Sequence, residues 1–279
     1  MRYCDNQRLY SPRQPHFEQK FYTHSYIVDE HDKLLYGKVL EIYQYKSDVL
    51  EDTIMVLPDG CFELMFSFYD DHIESHLVIG ESEVVQMNVN ECRRMFGFCV
   101  RLLPGWLGQI YTAPLKNKTD DIRYSVKYIN SFEVMEGFDR FYRKIVSTNS
   151  FEDRIEVCRR YFGSMKESSD NQSELAKHGC LFLLKGEGNS SINELEKYLG
   201  YSSRYIRMIF DDYVGFSPKK FNEIIRFQSS FSHYYSNPSI SLSELACNFG
   251  YYDLSHMNRS YLKLAKNLPK ALFRKLSTE

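Results

Sequence analysis

The sequence predicts an α+β chain: an N-terminal β-barrel or sandwich-like domain with helices, followed by an all-α domain of two helix-turn-helix units. Three observations carry that prediction. Large apolar residues occupy every second position of "CFELMFSFY" at 61–69 (Phe62, Leu64, Phe66, Phe68); apolar residues fall three and four apart beyond residue 119; and the stretch 191–201 recurs at 241–251. Alternation with period two is the mark of a half-buried strand, and spacing of three and four is the mark of an amphipathic helix.

Elements are justified in chain order. Residues 35–115 read as β structure. Phe62, Leu64, Phe66 and Phe68 share one face of a strand, and "HLVIGESEVVQMNV" and "MFGFCVRLL" read as further strands. Turn signals separate them: "PDG" at 58–60, Gly80, and "LPGW" at 103–106. Short strands broken by such turns predict a barrel or sandwich. From 119 to 185 "IRYSVKYINSFEVM" and "GFDRFYRKIV" read as helical, "KESSDNQSE" (166–174) as a loop, and "KGEGNSS" (185–191) as a domain boundary. The expected units are thus a β-rich domain at 1–118, a helical extension and linker at 119–185, and a separate domain carrying the repeat at 186–279.

Inside the last unit, Ser191, Glu194, Leu195, Gly200 and Tyr201 recur as Ser241, Glu244, Leu245, Gly250 and Tyr251, each offset by 50. Ser and Glu three apart make a capping box, which satisfies backbone N–H groups that a helix start leaves without partners. Gly200 and Gly250 stand where a helix end wants a left-handed residue. A second cap (Ser202 or Ser203; Asp253) and a second short helix follow in each copy. Each copy is therefore a helix-turn-helix. Between them, Ser217 as cap and Pro218 at the first helical position open a connecting helix, and "NP" at 237–238 ends it. It is expected at about 218–235, long enough to hold two reading heads about one DNA turn apart.

The faces of the second helices set their chemistry. In the first copy, Ile206, Ile209, Phe210 and Tyr213 form an apolar stripe, with Arg204, Arg207, Met208 and Asp211 opposite. In the second, Leu254, Met257, Tyr261 and Leu264 form the stripe, with Ser255, Asn258 and Arg259 opposite. Arg pairs bidentately with guanine and Asn with adenine, while Ser serves either. A merely solvated face is the plainer explanation for one such helix, but solvation gives no reason to repeat a whole unit. Lys219, Lys220 and Lys263 are the expected phosphate contacts. Charge agrees: residues 186–279 hold 12 Lys and Arg against 9 Asp and Glu, a net of +3, while the rest is at −5.

On "ELEKYLGYSSRYIRMIFDDYVGFSPKKF" and "ELACNFGYYDLSHMNRSYLKL…LPKALF", residues 186–279 resemble the AraC/XylS-type DNA-binding domain of bacterial transcription regulators. The resemblance implies recognition helices at about 203–213 and 253–264. It implies groove-facing roles for Arg204, Arg207 and Met208 in the first, and for Leu254, Ser255, Asn258 and Arg259 in the second. The sequence departs from the family at Met208, where Arg is frequent, at Leu254, where a polar residue, often Gln, is usual, at Lys266, usually Gly, and at Leu268, where a Thr or Ser cap is frequent. "VLPDGCFELMFSF" with "VRLLPGW" is similar to an N-terminal β-domain of a subset of these regulators.

For the front half two roles stay open, an effector pocket or a dimer interface. Asp59, Glu63, Arg101 and Trp106 are the candidate effector residues. For Glu63 the plainer explanations are an outward, solvated side chain or a pair with Arg101, and for Trp106 core filling. No metal or cofactor is expected. The seven cysteines are odd in number and include no CxxC, which points to reduced, mostly buried thiols, and no four-ligand zinc spacing occurs. The methyl-accepting repair regulators that share this module carry such a four-Cys site. An enzyme would need a Cys nucleophile beside a base, and Cys61 with His72 or His76 is the only local pairing. Catalysis is not expected. No run approaches the roughly 20 apolar residues of a membrane span, so a cytoplasmic regulator is expected. Its expected partners are double-stranded DNA, RNA polymerase, a small-molecule effector and a second copy of the chain. Regulation mainly through protein contact, as an anti-activator, is the alternative.

Overall fold

A computed structural model describes residues 9–46, 53–88, 96–106, 108, 121–123, 126–135, 137–165 and 170–277. The chain begins with α1 (Pro15–Phe21) and β1 (Tyr22–Ile27), then β2 (Val39–Lys46), β3 (Thr53–Val56), β4 (Phe62–Phe68), β5 (Ile73–Ile79), β6 (Val85–Asn88) and β7 (Phe96–Leu102). Two more strands, β8 (Asp121–Arg123) and β9 (Val126–Asn130), precede α2 (Ser131–Val134), α3 (Phe138–Val146), α4 (Phe151–Ser164) and α5 (Asn171–Lys185). The C-terminal helices are α6 (Ile192–Leu199), α7 (Ser203–Tyr213), α8 (Pro218–Ser236), α9 (Leu242–Asn248), α10 (Leu254–Ala265) and α11 (Pro269–Ser277).

Seven strands form an antiparallel sheet in the order β1-β2-β7-β4-β5-β9-β8, and β3 and β6 pair as a separate ribbon. Alternation gives the sheet two faces. Ile42, Phe62, Leu64, Phe66, Phe98 and Val100 belong to the main core, where Phe66 packs on Phe138 and Phe141 of α3. On the other face Tyr43, Tyr45 and Cys99 gather with Phe21 and Ile54.

One expectation is corrected. Residues Asp121–Arg123 and Val126–Asn130, within the stretch read as the start of a helical extension, continue the sheet as β8 and β9, and the helices that follow begin at Ser131. Ile122, Tyr124, Val126 and Tyr128 also alternate, so both periods fit, and pairing of β9 with β5 decides between them.

Local signals fix most of the C-terminal helix starts; α7 differs from expectation, since Ser202 stands at its N-cap with no side-chain cap hydrogen bond. Ser191 accepts from the Glu194 N–H while the Glu194 carboxylate takes the Ser191 N–H, completing the capping box of α6. Ser241 accepts from the Glu244 N–H at α9, Ser217 from Lys220 at α8, and Asp253 from His256 at α10. Gly200 (φ 75°) and Gly250 (φ 66°) take the left-handed turn conformation that glycine adopts without steric penalty. Lys266, just past the end of α10, is left-handed as well, at φ 53°. The last helix starts at Pro269, one residue past the Leu268 that replaces a polar cap.

The connecting helix α8 is more than a spacer. Phe221, Ile224, Ile225, Phe227 and Phe231 are fully buried, and so are the polar Gln228 and Ser230. Phe221 meets Phe210 of α7 at 6.1 Å, and Phe227 meets Tyr261 of α10 at 4.8 Å. The Ser230 and Tyr261 hydroxyls hydrogen-bond at 2.9 Å. Both helix-turn-helix units are thereby packed on one rod.

Among the described residues no helix is long and apolar enough to cross a membrane, and no group of three or more His, Cys, Asp or Glu could hold a metal ion.

Candidate nucleic-acid interface and a cleft in the front domain

Helical periodicity sorts α7 and α10 as the sequence expects. Ile206, Ile209 and Phe210 are buried, while Arg204, Arg207, Met208 and Asp211 are exposed. Tyr213, expected in the core, is half-buried and donates its hydroxyl to Asp170 at 2.6 Å. In α10, Met257, Tyr261 and Leu264 are buried, Ser255 and Arg259 are exposed, and Leu254 and Asn258 lie between. Arg207 sits 3.8 Å from Asp211 one turn on, an exposed pair too weak to hold the guanidinium away from a ligand.

The expected phosphate lysines fall into two settings. Lys219 is exposed at the start of α8. Lys220 and Lys263 lie close together, and Lys266 joins them: burial and then the Lys263 charge lower the Lys220 pKa. Sequence reading missed Lys266, since nothing local shows that the turns after α8 begins and α10 ends converge. This basic cluster is balanced by carboxylates. Lys263 is 2.7 Å from Glu223, and Lys266 pairs with Glu83 on the loop between β5 and β6. The Lys266 ammonium holds the Glu83 carboxyl below its usual range. Beside it the Val84 N–H donates to the Leu264 carbonyl at 2.6 Å, so the front domain touches the end of α10.

In the front domain, sheet register rather than sequence proximity builds the polar site. Arg101 of β7 stands opposite Glu41 of β2 on one side and Glu63 of β4 on the other. Its Nη1 lies 3.1 Å from Glu41 and its Nε and Nη2 lie 2.8 Å from Glu63, with only 3 % of the side chain exposed. Burial pushes the Glu41 carboxyl above its usual range, with Arg101 opposing and Glu18 and Glu63 adding to it. Asp59 is buried nearby in the turn before β4, accepting from the Cys61 N–H at 2.9 Å and from Gln14 at 3.1 Å. Three of the four expected effector residues thus share a neighbourhood. Trp106 does not: it is buried edge-on against Phe162, 5.7 Å away, and fills core. Glu41, Tyr10 and Tyr22 were missed. Glu41 shares the signal that marked Glu63, a carboxylate in an otherwise apolar strand.

Cys61 is buried, and burial raises its thiol pKa well above the ordinary value, so the thiol stays protonated. His72 stacks on Tyr69 and pairs with Asp71. Cys99, Cys158 and Cys180 are also free and buried, and Cys247 is exposed; Cys4 and Cys92 lie outside the described residues.

A segment at 10–14 ties the front domain to α8. The Arg13 N–H donates to Gln228 Oε1 at 3.0 Å, Gln228 Nε2 donates to the Pro58 carbonyl at 3.0 Å, and Ser232 donates to the Ser11 carbonyl at 3.1 Å. The turn Pro58–Gly60 presses on Phe221.

Residues 195–275 match the family model of a helix-turn-helix domain. No curated protein matches the chain. Among solved structures it is similar to ToxT from Vibrio cholerae. One crystal form gives a TM-score of 0.40 at 10% identity over 83% of this chain and 96% of that one. The wild-type protein of strain SCE256 with a bound unsaturated fatty acid gives 0.39 at 14% identity over 85% and 95%.

Proposed function

We propose that residues 195–275, which match the model of a helix-turn-helix domain, form the DNA-binding domain of an AraC/XylS-type transcription regulator, and that α7 and α10 are its two recognition helices, each laid in a major-groove segment of one operator. The carrying observation is that both helices, in equivalent copies of a repeated unit, bury one stripe, α7 against α5, α6 and α8 and α10 against α8, and leave the opposite face to solvent. Arg204, Arg207 and Met208 would meet bases from α7, and Ser255, Asn258 and Arg259 from α10, with Lys219, Lys220 and Lys263 on phosphates. The front domain would control this through bound effector or dimer contact. Footprinting on genomic fragments selected by the full chain tests the reading: two protected segments about one helical turn apart are expected, and protection without sequence preference would refute it.

Arg259→Ala is expected to relax base preference at one operator position and to cost about 1–3 kcal/mol there. Selection of bound sequences from a randomised operator reads this directly. A uniform loss across all sequences would assign Arg259 to the backbone instead.

Glu83 occupies the Lys266 ammonium where a phosphate could sit. Glu83→Gln is expected to tighten binding to specific and unrelated DNA alike. It should also steepen the slope of log affinity against log salt by about one unit, the signature of one more phosphate neutralised. An unchanged slope would remove Lys266 from the DNA surface.

A further inference from the structure

The front domain holds a half-open cleft of about 360 Å³ between the segment Tyr10–Arg13, α1, β1 and β2. Its polar wall is Glu18, Tyr22, Glu41 and Arg101; its apolar wall is Ile27 and Leu40. Charge in and behind this wall is unbalanced. Glu41 and Glu63 share the buried guanidinium of Arg101, and Glu18, which accepts the Gln14 N–H at 2.7 Å, stands 4.0 Å from the Arg13 guanidinium at the rim. Three carboxylates thus face two guanidinia.

Arg101 is committed: its Nε and both Nη atoms point at the two glutamates, so it offers an anion little. Both Arg101 and the Tyr22 hydroxyl meet Glu41 at Oε2, and Oε1 has no described hydrogen bond. Tyr22 is a large π surface, stacked on Tyr43 at 4.4 Å, and aromatic faces attract cations. An anion entering here would add to a net negative site, and a purely apolar molecule would strip water from carboxylates with nothing to replace it.

We propose that this cleft binds a small organic monoamine, its ammonium held by Glu41 and Glu18 and its carbon body lying against Tyr22, Ile27 and Leu40. This deepens the effector reading of the front domain and rests on it for its regulatory consequence. The wall formed by residues 10–13 is the same segment whose backbone bonds Gln228 and Ser232 of α8. An occupied cleft therefore steadies the segment that clamps the rod on which both recognition helices are packed.

The test uses the full chain and three probes of one shape: 2-phenylethylamine, 2-phenylethanol and phenylacetate, titrated calorimetrically. The amine is expected to bind saturably, at least about tenfold more tightly than the alcohol, the difference one charge-assisted hydrogen bond supplies. Phenylacetate should bind most weakly. Glu41→Gln should remove the advantage of the amine over the alcohol. Ser25→Lys, at an exposed cleft residue outside the Arg101 pairs, should abolish amine binding by supplying a tethered ammonium, and it serves if Glu41→Gln fails to fold. Phenylacetate binding as well as the amine, saturation by none of the three at millimolar concentration, or amine binding unaltered in Ser25→Lys would overturn the proposal. Footprinting the same preparation separates the two readings. Operator protection without amine binding sinks the cleft alone, and loss of operator protection sinks the DNA assignment whatever the amine does.

Discussion

Replacing Arg101 by leucine is expected to lower the unfolding free energy by about 3–5 kcal/mol at neutral pH, the cost of leaving buried charges without their partner. Arg101 is the only cation that the register of β2, β7 and β4 places between Glu41 and Glu63. A leucine of similar volume would fill the space but leave two carboxylates facing each other across the central strand. The deficit should depend on pH in a defined direction. In the native protein burial already raises the Glu41 carboxyl above its ordinary value despite Arg101, and without the guanidinium the rise grows. A carboxyl raised by folding binds more protons folded than unfolded. Its stabilising share is therefore fully present below the unfolded value and is lost as pH climbs through the folded one. The variant should recover much of its deficit as pH falls towards about 4, near the unfolded glutamate value. Urea unfolding of both proteins at the two pH values measures this, and equal deficits would show that the glutamates are solvated without Arg101.

Gly188→Ala is expected to cost about 3 kcal/mol or more. The residue lies at φ 74° in the turn after α5, and a Cβ there would stand 2.4 Å from the Arg226 nitrogen and 2.6 Å from the Asn222 carbonyl oxygen. Left-handed backbone costs a non-glycine residue about 1–2 kcal/mol, and forcing atoms into a packed contact adds about 1–3 kcal/mol. Backbone cannot swing aside as a flexible side chain would. The same turn is bonded to α8, since Arg226 donates to the Gly188 carbonyl and Asn222 to the Ser190 carbonyl, so relief of the clash must loosen those bonds. Gly200→Ala is the matched control: φ is 75° and nothing lies within 4 Å, so only the conformational share should be lost. Equal losses in the two variants, read from urea midpoints, would mean that the turn shifts freely away from α8.

These two positions differ in how far the chain announces them. Glycine at 188 sits in a visibly loop-like stretch, yet its contact with α8, 38 residues on, is invisible in the sequence. Glu63 and Arg101 are legible as charged residues interrupting apolar strands, and their pairing was one of the explanations open from the outset. Glu41, the third member of the row, needed the order of non-sequential strands. Trp106 carried no signal separating a core ring from a ligand platform.

By itself the sequence determined the caps of α6, α9 and α10, the apolar stripes of α7 and α10, and the alternating faces of β4, because caps and side-chain periodicity act within a turn or a strand. Tertiary structure alone decided that 121–123 and 126–130 pair as strands, that α8 is buried on nearly every side, and that Glu83 reaches Lys266. It also set the Glu41–Arg101–Glu63 row, since each of these depends on contacts between residues far apart in the chain, whose register only packing fixes.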